Sequence, residues 1–170
     1  NTSDDQARRL IEAERIRDNA AILPASWHYM VVGDFNIQSS NQAAYQKLTE
    51  FPGDPGRFHD PISTPGSWNN NSSFRFVHTQ DPAGQMDDRL DFMLLSPNLI
   101  DADAMDYIGN PSIPYSTTTW DDPNHSYRSW GNDGTSFDAL LKVTGNAMVG
   151  PTIAQALRDS QAAGGHLPVF

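Results

Sequence analysis

A carboxylate and an amide stand directly behind an apolar run near the start of the chain. The run 27–32 leads through Gly33 to Asp34, and Asn36 follows two positions later. Residues two apart in an extended segment point to the same side, so both side chains would reach one site. A carboxylate can position a proton and an amide can hydrogen-bond a developing oxyanion, which suits phosphoryl transfer. Gly-Asp-x-Asn is also ordinary turn chemistry, and for this segment alone the turn is the commoner interpretation.

A second carboxylate, Asp91, lies inside the apolar run 89–96. An ionised carboxylate in such a strand is costly unless it is paired. Orienting a histidine is one solution, since the carboxylate fixes the ring tautomer and stabilises the imidazolium. A structural ion pair, for instance with Arg89 two positions earlier, is the other. The segment by itself is compatible with both.

A histidine near the chain end is the third candidate. His166 follows Gly164 and Gly165 and opens the apolar segment 167–170. Two small residues before it leave the backbone accessible to a ligand. A histidine that merely begins a strand is the alternative, and it is the simpler interpretation of this motif alone.

The three motifs together occur in an order that resembles a known family. Gly-Asp-Phe-Asn at 33–36, Arg-Leu-Asp-Phe at 89–92 and Gly-His-Leu-Pro-Val at 165–169 follow one another. This order resembles the C-terminal half of the endonuclease/exonuclease/phosphatase superfamily, which has the deoxyribonuclease-I-like fold. The resemblance implies an α+β fold, the C-terminal part of a four-layer α/β/β/α sandwich with mixed sheets flanked by helices. Residues 1–170 would then form one partial domain whose N-terminal half is absent.

The resemblance also implies a role for each matched residue. Asp34 would activate the attacking water or protonate the leaving oxygen, and Asn36 would stabilise the pentavalent phosphate. Asp91 would hold the ring of His166, which would contact the scissile phosphate or act as general base. In some members the residues matching Asp34 and Asn36 hold a divalent ion, so Mg²⁺ is expected there, or Mn²⁺ or Ca²⁺. The implied activity is metal-dependent hydrolysis of a phosphate ester by in-line attack of water, of nuclease, phosphodiesterase or phosphatase type.

Two departures from the family pattern limit what the resemblance implies, and the first of them, at Gly165, favours a different function class. The family usually carries an acidic residue that assists metal binding directly before the final histidine, where this chain has Gly165. Its metal-binding glutamate and another catalytic histidine belong to the N-terminal half, so we expect the chain alone to have little activity. A non-catalytic binding module that retains the fold and has lost its metal site is therefore the alternative.

A long polar and aromatic stretch, 110–134, has no clear periodicity. Long loops in compact domains are often functional, and we predict Arg128, Trp130 and Asn132 as substrate-binding residues that grip a phosphate or stack on a base. The alternative is that they pin the loop to the body of the domain. A phosphate ester is the expected partner, with a nucleic acid or a phospholipid head group among the candidates. The acidic pair at 87–88 is interpreted as the solvated end of a hairpin rather than as metal ligands.

Composition narrows the classes further. With 38% hydrophobic and 19% charged residues, the 170-residue chain is typical of a folded domain and not of a disordered one. The lack of Cys excludes thiolate catalysis and Cys-ligated zinc, and together with Asn/Ser/Thr-rich loops it favours an exported protein. The net charge of −10 argues against a broad basic surface for nucleic acid, although a bound cation lets an acidic hydrolase meet phosphate. No apolar run is long enough to span a bilayer.

Hydrophobic periodicity predicts the elements that must position these residues. A capping box of Ser3 and Gln6 opens the first helix, which Pro24 closes. Residues 81–84 predict a hairpin turn. The predicted helices are 3–23, 41–49 and 150–161, and the predicted strands are 27–32, 74–79, 89–96 and 166–170.

Overall fold

The computed structural model describes residues 2–50, 53–103, 105–160 and 165–170. Over these residues the fold is α+β, with three α-helices and a two-stranded antiparallel sheet. The elements are α1 (Ser3–Ala21), β1 (Met30–Asp34), α2 (Ala43–Thr49), β2 (Asp91–Leu95) and α3 (Pro151–Ser160). Two short 3₁₀ turns cover Ser72–Phe74 and Pro97–Leu99. None of these helices is long and apolar enough to cross a membrane.

The residue that caps the N-terminus of helix α1 is Thr2, one position before the predicted Ser3. The Thr2 hydroxyl accepts from the backbone N–H of Asp5 at 3.2 Å, and the Asp5 carboxylate accepts from the backbone N–H of Thr2 at 3.0 Å. The predicted box of Ser3 and Gln6 is therefore wrong, because Thr2 and Asp5 have the same three-residue spacing and satisfy the first amides. The helix itself is confirmed.

The two strands pair so that one face of the sheet is buried. Val31 pairs with Leu94, Gly33 pairs with Phe92, and both Leu94 and Phe92 have no exposed surface. This face packs on α1 and α2 in the largest hydrophobic cluster. Asp34 lies on the opposite face, because side chains alternate along a strand.

Strand β1 begins later than the predicted segment 27–32. The backbone N–H of Trp27 donates to the carbonyl of Pro24 at 2.9 Å, so a turn occupies the first part of that segment. The strand continues to Asp34, which places the acidic motif on the strand itself. The prediction of a strand in 89–96 is confirmed, with β2 starting at Asp91.

The predicted strand 74–79 is wrong. The backbone N–H of Val77 donates to the carbonyl of Phe74 at 2.9 Å and closes a turn. This N–H is therefore not available for pairing with a neighbouring strand. All side chains from Phe76 to Thr79 are buried, so the segment lies in the interior between loops and has no solvent-facing side. The turn at 81–84 does form, with the Gly84 N–H donating to the Asp81 carbonyl at 2.8 Å, but it joins no strands.

The predicted terminal strand 166–170 is also wrong. A single bridge between Val169 and Ser129 replaces it. The second predicted helix is confirmed as α2, and the third is confirmed as α3 up to Ser160; Gln161 and Gly164 lie outside the described residues. The described residues form one antiparallel pair, and they show neither mixed sheets nor a four-layer sandwich.

Loops build two further hydrophobic clusters. The second cluster contains buried residues of the long irregular segments, among them Ile62, Phe76 and Tyr127. The third contains Met86, Leu141 and Leu167. The long irregular segments and the residues near the chain end thus each belong to a hydrophobic cluster of their own. The candidate site lies at the boundary between these clusters.

Candidate active site

The strand register sets two carboxylates side by side. Asp34 is the last residue of β1, Asp91 is the first of β2, and the two are paired across the antiparallel ladder. Directly opposite side chains in such a pair have Cβ atoms roughly 4.5–5.5 Å apart, and like charges there are destabilising. A neighbouring group that can donate a hydrogen bond to these carboxylates would relieve that repulsion.

His166 lies at that position. Its Nδ1 is 3.0 Å from Oδ2 of Asp91 and 4.0 Å from Oδ2 of Asp34. The side chain is 21% exposed, so the ring is partly buried and still reachable from solvent. With Nδ1–H donating to Asp91, the Nε2 atom is left as the proton acceptor of the neutral ring.

Asn36 folds back onto Asp34. Its backbone N–H donates to Oδ1 of Asp34 at 2.8 Å, and its side-chain Nδ2 donates to Oδ2 at 3.3 Å. The φ of Asn36 is 51°, a left-handed conformation that Asn tolerates better than most residues. The turn interpretation of the motif is therefore confirmed, and the turn itself keeps the amide beside the carboxylate.

Asp91 is fixed from below by its backbone. The hydroxyl of Thr79 accepts from the backbone N–H groups of both Leu90 and Asp91 at 3.3 Å. The hydroxyl of Tyr127 lies 3.4 Å from the carbonyl of Asp91, to which it donates. Burial raises the pKa of Tyr127 to about 12 against the opposing effect of the Arg89 guanidinium, so this hydroxyl keeps its proton.

Arg89 does not pair with Asp91. Its guanidinium is fully buried and binds Asp60 through two contacts of 2.7 and 3.0 Å, with a further bond of 2.6 Å to the Thr64 hydroxyl. Burial lowers the pKa of Arg89, but Asp60 together with the neighbouring Tyr127 and Tyr45 outweighs burial, and the net shift is upward. The ion-pair interpretation of Asp91 is therefore replaced by its contact with His166.

Backbone pairing with the long loop holds the segment that carries His166. The N–H of Arg128 donates to the carbonyl of Phe170 at 2.9 Å, and the N–H of Trp130 donates to the carbonyl of Pro168 at 2.8 Å. The Leu167 N–H donates to the carbonyl of Thr79 at 2.9 Å. Thr79 thus bonds the backbone on both sides of the Asp91–His166 contact. Its hydroxyl accepts from the amides of Leu90 and Asp91, and its carbonyl accepts from the amide of Leu167, next to His166.

The three predicted substrate-binding residues fasten this loop. Asn132 is 1% exposed, and its Nδ2 donates to the carbonyls of Arg75 and His78, each at 2.8 Å. Arg128 donates to Asp121 at 2.9 Å, and the ring of Trp130 packs edge-on against Phe170. None of the three lines the cleft beside Asp34. The fastening role is what the geometry shows, and their substrate-binding role stays a prediction.

A polar cleft of about 530 Å³ opens beside Asp34 and Asn36. It is also lined by side chains of α1 and of three other segments: Asp5, Arg8, Arg9, Glu12, Phe35, Gln38, Gln80, Asp88 and Leu90. The interpretation of Asp88 as part of a solvated hairpin end is wrong. Asp88 is 6% exposed, and its Oδ2 accepts hydrogen bonds from Gln38 at 3.2 Å and from Asn69 at 3.1 Å in the wall of the cleft.

Sequence patterns give no sign that three further residues lie near the site: Thr79, Gln38 and Gln80. Thr79 lies in a segment whose alternation is typical of a strand, and the two glutamines have no motif spacing that sets them apart. Their position beside the site follows from contacts between segments distant in the chain, such as the one joining Gln38 to Asp88. No local pattern could have found them.

The side chains at Asp34 suit a hard cation in part. Among the described residues, no three His, Asp or Glu side chains form a metal-binding group. Asp34 and Asn36 offer one carboxylate and one amide oxygen, and Mg²⁺ is commonly bound by one or two carboxylates with water filling other positions. The oxygen chemistry of the pair fits the predicted ion, provided that water, substrate or another segment supplies the remaining ligands.

Comparison with known proteins adds no relative. No family model matches the chain, and neither a curated protein nor a solved structure matches it. The family resemblance therefore rests on the three motifs.

Proposed function

We propose that the protein is a metal-dependent phosphoesterase that hydrolyses a phosphate ester by in-line attack of water. The observation that carries this proposal is the meeting of Asp34, Asp91 and His166. His166 and Asp91 are 75 positions apart in the chain, yet Nδ1 of the ring lies 3.0 Å from the carboxylate. An exposed acid and amide next to an oriented imidazole are the groups that water activation and charge stabilisation at phosphorus need.

The proposed division of roles follows from the hydrogen bonds. Asp91 holds Nδ1–H, so Nε2 of His166 accepts the proton of water as the new P–O bond forms. The imidazolium is then stabilised by Asp91 and, at 4.0 Å, by Asp34. Asp34 positions the attacking water, or passes the proton that His166 has taken up to the leaving oxygen as the old P–O bond breaks, so that the ring returns to its neutral form. The Asn36 amide hydrogen-bonds a phosphoryl oxygen.

Asp34 and Asn36 would hold Mg²⁺, which supplies charge neutralisation at the phosphoryl oxygens; Mn²⁺ and Ca²⁺ suit the same oxygen ligands. Gly165 contributes no ligand next to His166, so this chain offers fewer metal ligands than the family pattern implies.

We further propose that the N-terminal half of the same domain completes the site, as in the four-layer sandwich that the resemblance implies. Met30 and Val32 lie on the same strand face as Asp34 and are 55% and 57% exposed. Among the described residues, β1 has a strand neighbour on one edge only. An apolar strand face beside an under-liganded acidic site is suited to a second sheet that brings further ligands.

The test is turnover by the domain with its N-terminal half present. We expect hydrolysis of a nitrophenyl phosphodiester or phosphomonoester to require Mg²⁺. Replacing a general base typically costs about 10²–10⁴-fold, so His166→Ala should lower the rate by about that factor. His28→Ala is the matched control, since His28 is an exposed histidine preceding the other end of β1. Metal-independent turnover, or an unchanged rate in His166→Ala, would contradict the proposal.

A non-catalytic binding module is the second candidate, and Gly165 is the observation that favours it. In that case the completed domain would bind a non-hydrolysable phosphodiester without any Mg²⁺-dependent turnover. Binding would then weaken in Asn36→Ala, because the amide would contact the ligand directly.

A further inference from the structure

A second cavity lies at the opposite end of β1 from Asp34. It has a volume of about 490 Å³, within the range of small-molecule sites. Tyr29, directly before β1, is one of its walls, so the strand separates the cavity from the catalytic cleft by roughly 15–20 Å. The other walls are the end of α1, the segment after it, the loop before His59 and the turn after β2.

Arg57 places a positive charge at this cavity, and no carboxylate of the described residues forms an ion pair with it. Its Nε donates to the carbonyl of Thr49 at 2.7 Å, and its Nη1 lies 3.2 Å from Nε2 of His59. No ion pair among the described residues involves it. Asp54, the one carboxylate among the lining residues, binds Arg17 at 2.6 Å instead. Arg57 is the only arginine or lysine among the residues that line this cavity.

Three further groups that line this cavity can donate hydrogen bonds. A guanidinium has no acceptor atom, so Nε2 of His59 must accept from Arg57, and the ring proton is then on Nδ1. The hydroxyl of Tyr29 and the indole N–H of Trp27 have no hydrogen-bond partner among the described residues. Hydrogen-bond donors that line the same cavity as a guanidinium without an ion-pair partner are suited to binding an anion.

The remaining wall is apolar and open. Trp27 is 55% exposed, with Leu23, Pro24 and Pro97 also lining the cavity. An exposed indole presents a flat face on which a planar group can stack.

We propose that this cavity binds a phosphate or carboxylate anion carried on a planar apolar group. Arg57 holds the anion, His59 and Tyr29 donate to it, and Trp27 stacks on the planar part. The site is separate from Asp34, Asp91 and His166, and it does not depend on the proposed phosphoesterase activity.

The electrostatics of His59 supply an independent signal for such a ligand. Burial, and then the neighbouring Arg57, lower the pKa of His59 to about 4. An anion beside the ring favours the imidazolium, so ligand binding should raise the pKa of His59. A ligand held elsewhere on the molecule would leave it unchanged.

The experiment is a titration of the chain with phenyl phosphate, benzoate and inorganic phosphate, without metal and at constant ionic strength. Heteronuclear NMR would follow the indole N–H of Trp27 and the ring of His59, with the buried indole of Trp68 as internal reference. We expect saturable shifts at Trp27 and His59 and none at Trp68. Phenyl phosphate should bind roughly tenfold tighter than inorganic phosphate because only it can stack. Its affinity relative to benzoate identifies the preferred anion.

Two variants test the assignment. Arg57→Gln should abolish the shifts, whereas Arg75→Gln should leave them intact, since Arg75 is another half-buried arginine without an acid partner and lies outside the cavity. Shifts that persist in Arg57→Gln, or no shift at Trp27 and His59 in the original chain, would overturn the proposal. Should Arg57→Gln fail to fold, the exposed Trp27→Leu decides: the preference for phenyl phosphate over inorganic phosphate must fall, and an unchanged preference refutes the site.

Discussion

At the residue scale, the proposed chemistry depends on which nitrogen of His166 carries the proton. Asp91 contacts Nδ1 at 3.0 Å, and this contact assigns the proton to Nδ1 and the lone pair to Nε2. Asp34 is farther away, at 4.0 Å, where it acts through charge and not through a direct hydrogen bond. The two carboxylates thus have different roles although they are paired across the sheet.

Asp91→Asn is the variant that tests this assignment. The amide has the same shape but offers no negative charge, so the ring loses its fixed tautomer and the imidazolium loses its partner. In the completed domain, turnover should fall by about 10⁴-fold, as for the corresponding change in a serine-protease triad. Nitrogen NMR of the His166 ring should show a proton on Nδ1 in the original chain and a mixture of tautomers in the variant.

The control for that variant is Asp103→Asn, an exposed aspartate away from the site. It should change neither the ring tautomer nor the rate. A single tautomer that survives in Asp91→Asn would show that another group orients the ring.

A buried histidine elsewhere predicts a pH dependence of stability. His78 has no exposed surface, and burial lowers its pKa from 6.5 to about 4, against the weaker opposing effect of the Met86 carbonyl. Between these two pH values the unfolded chain binds a proton at His78 that the folded chain does not. Stability is therefore complete above pH 6.5 and falls as the pH drops towards 4, by about 3 kcal/mol for this group.

Urea unfolding across that pH range measures the effect. His78→Phe removes one titrating ring and should reduce the pH dependence, with the remainder due to His59, whose pKa burial also lowers to about 4. His28→Ala should retain the full pH dependence because His28 is exposed. Equal slopes in all three proteins would show that His78 does not stay neutral in the fold.

At the element scale, the site depends on how two irregular segments are tied to the strand pair. Thr79 joins them: its hydroxyl accepts from the amides at the start of β2, and its carbonyl accepts from Leu167 beside His166. The side chain has no exposed surface, so water cannot replace these bonds. A single residue between the elements therefore helps to set the distance from Asp91 to His166.

Thr79→Val is the corresponding prediction. Valine keeps the shape but leaves the buried amides of Leu90 and Asp91 without an acceptor, which should lower the free energy of unfolding by about 1–3 kcal/mol. Thr79→Ser retains the hydroxyl and should largely preserve both amide bonds. Hydrogen exchange at Leu90 and Asp91 should accelerate in the valine variant alone; equal exchange in the two variants would argue against the hydroxyl contacts.

At the scale of the whole molecule, the site lies where three hydrophobic clusters meet. Phe92, next to Asp91, belongs to the first cluster, Tyr127 to the second, and Leu167, next to His166, to the third. The geometry of the candidate site is therefore formed only when the clusters pack together. The second cavity, near the far end of β1, is bounded by different segments.

Leu167→Ala tests this dependence. The side chain is 1% exposed in the third cluster, and truncation of a buried leucine costs about 2–5 kcal/mol. We expect that loss in urea unfolding, together with a weakened contact of His166 seen as a changed ring signal in NMR. Leu140→Ala is the control, because Leu140 is 48% exposed. A destabilised variant whose His166 signal is unchanged would show that the third cluster does not position the ring.

The sequence by itself determined the features that arise within a few residues. The helices are predicted because apolar residues recur at helical spacing, and the strands because an apolar run precedes Asp34 and another surrounds Asp91. Asn36 stays beside Asp34 for a local reason too, since a turn of adjacent residues places it there. In contrast, 74–79 alternates like a strand, yet every side chain from Phe76 to Thr79 is buried between loops, which sequence alternation cannot reveal.

Only the tertiary structure decided the choice of partners between distant segments. It assigned Arg89 to Asp60 instead of Asp91, paired Asp34 with Asp91 through strand register, and made Thr79 the link to the segment that carries His166. Each choice depends on which chain segments meet in the folded molecule. Such contacts are set by the packing of the whole chain, and the residues that make them carry no mark of it in their own neighbourhood of the sequence.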